Sequence, residues 1–282
     1  MTRTSRAWLI TGVSSGLGRA LAVAALGRGD VVAGTVRREA DCAAFEALAP
    51  GRAHGLLLDL ADTPAIEPVC ARAEAAVGGI DILVNNAGYG LVGALEETSL
   101  AEIRRLFEVN VFGALAVIQA VLPFMRARRA GRIISITSVS GLAAWGGTAA
   151  YCASKFALEG ATQALAQEVA GLGIKVTNVA PGGLRTDYAG RSLALSARTL
   201  PDYDGAARFA RRVLAETAGR EPGDPARAAM AILAVADADA PPLRLLLGAD
   251  AAHYATRAQG AFQVELGAWG ALTFSTGFSE QS

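Results

Sequence analysis

Histidine and cysteine are scarce in this chain of 282 residues, which has two of the first and three of the second. His54 and His253 lie far apart, and neither has a recognisable catalytic partner nearby. This scarcity argues against a histidine metal centre or a Ser-His-Asp triad. Cys42, Cys70 and Cys152 have no paired spacing, which argues against a disulfide framework or a zinc site. We therefore expect no bound metal.

Net charge and long apolar runs are also missing. The 26 basic side chains balance the 26 acidic ones, so no electrostatic excess favours nucleic acid or an anionic membrane. The longest apolar run, residues 114–124, is about eleven residues, and a bilayer span needs ~18–20. The N-terminus passes from a short basic stretch into a strand without the apolar core of a signal peptide. We expect a cytoplasmic protein without a membrane span.

Short β-rich runs alternate with amphipathic stretches, and the 52% hydrophobic content excludes intrinsic disorder. This pattern predicts a single α/β domain of Rossmann type, doubly wound, with a seven-stranded parallel sheet flanked by helices. The predicted strands are 7–10, 30–35, 55–58, 80–84, 132–136, 175–179 and 243–247. The predicted helices are 18–26, 39–48, 64–77, 100–128, 151–172 and 225–236.

Two segments depart from the alternation. Residues 187–223 contain no strand run, and we expect them to form an insertion that covers the substrate as a lid. The tail 255–282 is apolar and aromatic, and we expect it to pack on another surface, either at the substrate pocket or in an oligomer interface. The whole range 1–282 is predicted to be one domain.

A glycine-rich turn follows the first strand and precedes a helix, in the order Thr11-Gly12-Val13-Ser14-Ser15-Gly16-Leu17-Gly18. Glycines let a backbone approach a pyrophosphate closely, and a helix N-terminus adds free N–H donors. Glycines also serve plain tight turns, but this position favours a nucleotide site. The TGxxxGxG spacing resembles the short-chain dehydrogenase/reductase family of the classical type, and the resemblance recurs to about Gly248. It implies nicotinamide cofactor contacts from Gly12, Ser14, Ser15, Gly16, Leu17 and Gly18.

The end of the second strand bears on the choice of cofactor. NAD enzymes of this fold usually place an acidic residue there, whereas this chain has Arg37 and Arg38. A guanidinium matches the 2′-phosphate of NADP, so we favour NADP(H) over NAD(H), with Arg37 as the ligand. The alternative is that both arginines are solvated loop residues. By resemblance, Asp59 and Leu60 bind the adenine; the alternative is that Asp59 caps a helix, but Asp62 or Thr63 would cap it just as well.

Two further motifs match the family's cofactor site. Asn85-Asn86-Ala87-Gly88 closes the fourth strand, and the resemblance places Asn86, Ala87 and Gly88 along the cofactor. The turn after the sixth strand contains Pro181, Gly182 and Thr186, and the resemblance implies that the threonine hydroxyl reaches the nicotinamide carboxamide. A plain turn that uses proline and glycine is the alternative for this segment.

Tyr151 and Lys155 carry the strongest catalytic signal. Residues four apart on a helix face the same way, and an ammonium beside a phenol lowers the pKa of that phenol. A YxxxK pattern arises by chance, but the chain has only one other lysine, at position 175. By resemblance, Ser138 orients the substrate, Asn110 supports a proton path to Lys155, and all four residues form a catalytic tetrad. Tyr151 and Lys155 also contact the cofactor.

The resemblance implies an oxidoreductase that interconverts an apolar secondary alcohol and its ketone, with Tyr151 as the acid and base. Residues 85–97 and 35–37 resemble the hydroxysteroid and retinol dehydrogenase-like branch. Trp145, Leu184 and Tyr188 are the predicted substrate contacts, together with Ser138. The rivals are a non-catalytic nucleotide sensor or scaffold, which predicts a damaged tetrad, and an epimerase or dehydratase on the same fold. Family members commonly pair through the two long helices, so we expect a homodimer or homotetramer.

Overall fold

The computed structural model describes residues 5–186 and 192–278. Seven parallel strands form its main sheet, in the order β3-β2-β1-β4-β6-β7-β9, and two short parallel strands, β5 and β8, form a second sheet. The strands are β1 Ala7–Thr11, β2 Val31–Val36, β3 Ala53–Leu57, β4 Ile82–Asn85, β5 Gly90–Val92, β6 Gly131–Ile136, β7 Ile174–Pro181, β8 Leu193–Leu195 and β9 Arg244–Leu247. The sequence predicted all seven strands of the main sheet and neither strand of the small one.

Helices connect the strands and cover both faces of the main sheet. They are α1 Gly16–Gly27, α2 Glu39–Glu46, α3 Thr63–Val77, α4 Leu100–Phe107, α5 Ala114–Arg128, α6 Ala149–Glu168, α7 Phe209–Thr217, α8 Pro225–Asp237 and α9 Ala249–Phe274. A π-helical turn, Glu108–Gly113, joins α4 to α5 and interrupts the single helix that the sequence predicted. The start of α4 is fixed by a capping box, in which Ser99 and Glu102 satisfy each other's backbone N–H groups. The sequence did not predict α7 or α9.

Each face of the sheet has its own apolar core. Leu21 of α1 and Ile232 of α8 are buried against one face, and Val117 and Val121 of α5 are buried against the other. Each fully buried side chain of this size contributes ~1.5–3 kcal/mol relative to an exposed one. The strands therefore have apolar side chains on both faces, as parallel sheets require. This arrangement confirms the predicted doubly wound fold.

The order of the strands reverses between β1 and β4. The chain runs outward from β1 through β2 to β3, then returns to β4 on the other side of β1. In open parallel sheets, ligands bind in the crevice at the carboxyl ends of the strands where the order reverses. The glycine turn after β1 and the Asn-Asn-Ala-Gly segment after β4 both lie at this crevice.

One continuous helical run, Leu100–Arg128, is long and apolar enough to cross a membrane by length and composition, a finding that applies to the described residues. No uninterrupted apolar run predicts a span, because polar residues break up the apolar character that the helix has on average. A core helix of a soluble protein passes the same test, and 44% of the most apolar window is buried. The finding is therefore weak evidence for a membrane span.

The described part of the predicted lid, residues 192–223, is more regular than expected. It contains β8, which pairs with β5, and the helix α7. The backbone N–H of Leu200 donates to the buried carboxylate of Glu97 at 2.7 Å, and Arg211 donates to the Ser196 hydroxyl at 2.8 Å. The Leu200 bond attaches the segment to the loop after β5, and the Arg211 bond joins two parts of the segment. The predicted substrate residue Tyr188 lies outside the described residues.

Candidate active site

The glycine turn is held against β2 by backbone hydrogen bonds. The N–H groups of Gly12 and Val13 both donate to the Thr35 carbonyl, at 3.1 and 3.0 Å. Gly12 has a φ of +75°, which favours glycine. A Cβ on Gly18 would overlap the Gly12 carbonyl oxygen and the Asn86 side-chain nitrogen, so only glycine lets α1 approach the turn this closely.

Gly16, the first residue of α1, lies beside Thr186 and has a φ of +58°. A Cβ placed on it would have Thr186 as its nearest neighbour, at 3.7 Å. The first turn of α1 contains no acidic side chain, and the preceding residue, Ser15, makes no side-chain cap. Free N–H donors at a helix N-terminus attract anions. These donors fit the pyrophosphate of a dinucleotide at the start of α1.

The segment after β4 braces the glycine turn. The Asn86 side-chain amide donates to the carbonyl oxygens of Thr11 and Gly12, at 2.9 and 3.1 Å. The backbone N–H groups of Asn86 and Ala87 both donate to the Thr11 hydroxyl, at 2.9 and 3.0 Å. Asn86 therefore positions the turn through its side chain, a role that the sequence did not predict.

The two arginines after β2 have different surroundings. Arg38 binds Asp41 through two hydrogen bonds of 2.8 and 2.7 Å, and this pairing raises the pKa of Arg38. Arg37 is exposed and has no ion-pair partner among residues 5–186 and 192–278. Of the predicted adenine residues, Asp59 is exposed and accepts a hydrogen bond from Ala61 N–H at 3.0 Å, whereas the Leu60 side chain is buried.

Ser138 and Tyr151 lie at the ends of β6 and α6 that face the crevice. Ser138 caps a 3-10 turn, Val139–Gly141, by accepting a hydrogen bond from Ser140 N–H at 3.0 Å. A Cβ on Gly141 would lie 2.8 Å from the Lys155 carbonyl oxygen, so this glycine allows the turn to pack against α6. The fold therefore brings the predicted serine to the helix that carries Tyr151 and Lys155.

Lys155 is buried, with 6% of its surface exposed. Its ammonium donates to the Ile136 carbonyl oxygen at 2.9 Å and lies 5.9 Å from the centre of the Tyr151 ring. Burial lowers the pKa of Lys155 from 10.5 to about 8, because desolvation disfavours the charged form. The predicted stacking of the two side chains is present in the structure.

Asn110 lies in the π-helical turn and is almost fully buried. Its side-chain oxygen accepts from Tyr89 N–H at 3.0 Å, and its nitrogen donates to the Tyr89 carbonyl at 2.9 Å and to the Ser154 hydroxyl at 3.2 Å. A Cβ on Gly88 would lie 3.0 Å from the Asn110 oxygen and 3.7 Å from the Lys155 ammonium. The Asn110 oxygen and the Lys155 ammonium thus both lie close to Gly88, and the four predicted tetrad residues share one region.

The turn after β7 is fixed by a residue that the sequence analysis missed. Gly182 N–H donates to the Leu247 carbonyl at 2.9 Å, and Gly183 N–H donates to the Asp250 carboxylate at 2.7 Å. A Cβ on Gly182 would overlap this carboxylate. Asp250 therefore holds the backbone that carries Pro181, Gly182 and, further along, Thr186. Its separation of 67 residues from Gly183 left no local signal in the sequence.

Trp145 packs edge-on against Tyr254 of α9, with ring centres 5.3 Å apart. Leu184, another predicted substrate residue, forms an isolated bridge with Gly223 at the end of the lid segment. Tyr254 was not among the predicted substrate residues, because it belongs to a helix that the sequence did not reveal.

Residues 6–194 of the chain match the short chain dehydrogenase family. The chain belongs to this family. The oxidoreductase BOA17 of Botryotinia fuckeliana is 34% identical over 273 residues, which cover 96% of this chain and 99% of that protein. Retinol dehydrogenase 8 of Homo sapiens is 42% identical over 200 residues, which cover 69% of this chain and 64% of that protein.

Solved structures of short-chain dehydrogenases agree with this membership. The crystal structure of a short-chain dehydrogenase from Streptomyces avermitilis is 41% identical, with a TM-score of 0.91, and covers 98% of this chain and 100% of that one. A Burkholderia phymatum short chain dehydrogenase/reductase in complex with NAD is 24% identical, with a TM-score of 0.76, covers 86% of this chain and 88% of that one, and shares the fold. The predicted family is therefore confirmed, and the chain is an oxidoreductase with an NAD(P)-binding fold.

Proposed function

We propose that this short-chain dehydrogenase is an NADP(H)-dependent oxidoreductase that interconverts an apolar secondary alcohol and its ketone, with Tyr151 as the acid and base. The observation that carries the proposal is the buried Lys155 ammonium, 5.9 Å from the centre of the Tyr151 ring. Ser138 lies beside this pair, at the end of β6. Burying a charged lysine costs folding free energy. A catalytic role beside Tyr151 explains this cost, whereas a non-catalytic sensor would have no use for the buried lysine.

The bound nicotinamide cofactor supplies or takes up the hydride. In the direction of reduction, the hydroxyls of Ser138 and Tyr151 donate hydrogen bonds to the substrate carbonyl oxygen, and Tyr151 transfers its proton to that oxygen. The Lys155 ammonium stabilises the resulting phenolate. In the direction of oxidation, the phenolate of Tyr151 accepts the proton of the alcohol.

Asn110 supports the return of the proton. Both the oxygen and the nitrogen of its side-chain amide are bound by the Tyr89 backbone, and the oxygen lies close to Gly88, as the Lys155 ammonium does. This fixed position supports the proposed proton path to Lys155. The π-helical turn that contains Asn110 interrupts the regular helix, and such turns are frequent at functional sites.

The preference for NADP(H) rests on Arg37. This exposed guanidinium has no ion-pair partner in the described part of the chain, whereas Asp41 binds the Nε and one Nη of the neighbouring Arg38. A 2′-phosphate would give Arg37 a doubly charged partner of matching geometry. Ser14, in the glycine turn after the adjacent strand, would add a hydroxyl donor to the same phosphate.

An apolar substrate is supported by the side chains around the crevice. Trp145 and Tyr254 pack against each other, and Leu184 lies at the lid segment. Retinol dehydrogenase 8, to which the chain is similar, is named for an apolar alcohol. The substrate would thus be a mainly hydrocarbon ketone or alcohol of small to moderate size.

A homo-oligomer remains a prediction, with pairing through α4, α5 and α6. Phe112 of the π-helical turn and Phe156 of α6 are large apolar side chains left exposed there. Apolar groups exposed together favour protein contacts. The cytoplasmic location also stays a prediction from the sequence.

The test is to titrate the purified protein separately with NADPH and NADH, and then to follow NADPH consumption with a panel of apolar ketones. We expect tight NADPH binding and turnover of at least one ketone. Tyr151→Phe should keep NADPH affinity and lose at least ~100-fold in kcat. Tyr203→Phe is the matched control, because the Tyr203 hydroxyl lies at the surface and donates to Glu96, its hydrogen-bond partner among the described residues. Substantial turnover by Tyr151→Phe would overturn the proposal.

A further inference from the structure

The helix α9 leaves the body of the protein after its first turns. Ala251 is fully buried, but most residues from Arg257 to Phe274 are exposed. The exposed fraction reaches 65% at Trp269 and 79% at Phe274. Isolated helices are marginally stable in water, and most helices in proteins depend on tertiary packing. This helix therefore lacks the contacts that would normally stabilise it.

The uncovered surface is large for a monomer. Phe262, Trp269 and Phe274 of α9 expose on the order of 450 Å² of aromatic surface, and Val264 and Leu272 add to it. The largest apolar patch of a typical monomer is ~300–600 Å², and a stable interface buries about 800 Å² on each partner. This surface is spread around α9, because Leu272 and Phe274 are two residues apart and face opposite sides of the helix, so a single partner helix covers one side of it.

Composition favours a protein over a lipid surface. Among the described helices, the one with the length and hydropathy of a membrane span is Leu100–Arg128, not α9. Helices that lie in a membrane interface are rich in lysine and arginine on their polar face. The stretch from 258 to 278 contains neither residue type, and its one charged side chain is Glu265.

A heptad-like seam with alanine at three of its six positions follows one face of α9. Tyr254, Ala258, Ala261, Glu265, Ala268 and Leu272 recur at alternating spacings of four and three residues. Such a spacing keeps a single stripe facing a partner helix. Because three positions are alanine, the axes of two such helices can approach to ~8 Å, the short end of the usual range.

The charges on this face are symmetric about Ala261. Arg257 precedes it by four residues and Glu265 follows it by four, and neither has an ion-pair partner within the described residues. Two identical helices that cross antiparallel at Ala261 would place each Arg257 level with the other copy's Glu265. The same register sets the bulky Tyr254 level with the other copy's small Ala268.

We propose that α9 is a docking surface for a second copy of this chain, whose own α9 packs against it antiparallel about a two-fold axis at Ala261. Such an interface is isologous, so each contact occurs twice. Since Tyr254 also packs on Trp145, the second copy covers the outer wall of the candidate substrate site. This contact is separate from α4, α5 and α6, and it does not depend on the proposed reaction.

A residue on a two-fold axis meets its own copy, so Ala261→Cys should form a disulfide between chains. The full-length variant at micromolar concentration is treated with diamide and run on a non-reducing gel. We expect more than half of Ala261→Cys to run as a cross-linked dimer. Gln263→Cys, on the opposite face of the same helix, and the unmodified chain with its own cysteines are the controls. Equal cross-linking of both variants, or none of Ala261→Cys, would refute the proposal.

Charge exchange tests the register in the Ala261→Cys background. Glu265→Arg should lower the cross-linking yield at least about tenfold, because each Arg257 then faces an arginine. The exchange Arg257→Glu with Glu265→Arg should restore the yield, since the pairs are complementary again. Gln263→Arg adds a charge on the opposite face of α9 and should leave the cross-linking yield unchanged. The antiparallel register would be contradicted if Glu265→Arg left the cross-linking yield unchanged. It would also be contradicted if Arg257→Glu together with Glu265→Arg failed to restore the yield.

Discussion

The ammonium of Lys155 donates a hydrogen bond to the Ile136 carbonyl at 2.9 Å and lies 5.9 Å from the centre of the Tyr151 ring. This carbonyl belongs to the last residue of β6, so the sheet itself fixes the lysine beside the tyrosine. The buried surroundings that position the ammonium also remove it from water, which disfavours its charge. The pKa of Lys155 therefore falls to about 8. The lysine therefore changes charge close to the physiological range.

Stability should report this lowered pKa. Because the pKa of about 8 in the folded chain lies below 10.5, the unfolded chain binds more protons than the folded one between these values. The free energy of unfolding contributed by Lys155 therefore rises with pH in this window and is at its lowest below about pH 8. The measurement is urea unfolding of the cofactor-free protein at several pH values from about 7 to 10.

Lys155→Met provides the comparison, since it keeps much of the side-chain volume and cannot titrate. Other ionisable groups contribute equally to both proteins, so the difference in unfolding free energy isolates Lys155. We expect wild type to gain stability relative to Lys155→Met as the pH rises from about 8 to 10. A difference that stays constant across this range would show that the pKa of Lys155 is not lowered.

The glycine turn gives a second prediction. Gly18→Ala should lower the free energy of unfolding by about 2–3 kcal/mol and weaken NADPH binding, because the added methyl overlaps the Gly12 carbonyl and the Asn86 amide. Thermal unfolding and a fluorescence titration measure the two effects. Gly160→Ala in α6 is the matched control, since its methyl meets nothing within 4 Å and should stabilise the helix by up to ~1 kcal/mol. Equal stability changes in the two variants would refute the close-approach argument.

Local patterns predicted the sheet and the residues of the candidate site because each signal lies within a few residues. The glycine turn is contiguous, and Tyr151 and Lys155 are one helical turn apart. The helix α9 escaped prediction because it is exposed on nearly all sides and its apolar residues do not form one buried stripe. The short strands β5 and β8 pair across about a hundred residues, which no local pattern records.

Arg37 and Arg38 also show the limit of local sequence patterns, and they give a third prediction. Sequence could not separate Arg37 from Arg38, but the structure pairs Arg38 with Asp41. Arg37→Ala should raise the Kd for NADPH by about 10- to 100-fold, the worth of one charge-assisted contact, and leave the Kd for NADH unchanged. Arg38→Ala should change the NADPH Kd by less than about threefold. Titration of both variants with both cofactors measures these Kd values. Equal losses of affinity for NADPH and NADH in Arg37→Ala would exclude a contact between Arg37 and the 2′-phosphate.

Asp250 should act as a positioning residue for the cofactor site. Its carboxylate accepts the Gly183 N–H at 2.7 Å and so holds the turn that leads to Thr186. Asp250→Ala leaves this N–H unpaired, and we expect the Kd for NADPH to rise about tenfold together with a loss of about 1–2 kcal/mol in unfolding free energy. Asp250→Asn keeps an acceptor oxygen and should recover most of the affinity.

Asp224 supplies the control, because it too accepts backbone N–H groups at the start of a helix, α8. Asp224→Ala should cost about 1 kcal/mol of stability, the usual effect of a lost cap, without changing the NADPH Kd. The comparison separates positioning from stability, since both variants lose similar folding energy but one alone loses cofactor affinity. If the NADPH Kd changes equally in the two variants, the Asp250 contact serves stability and does not position the cofactor turn.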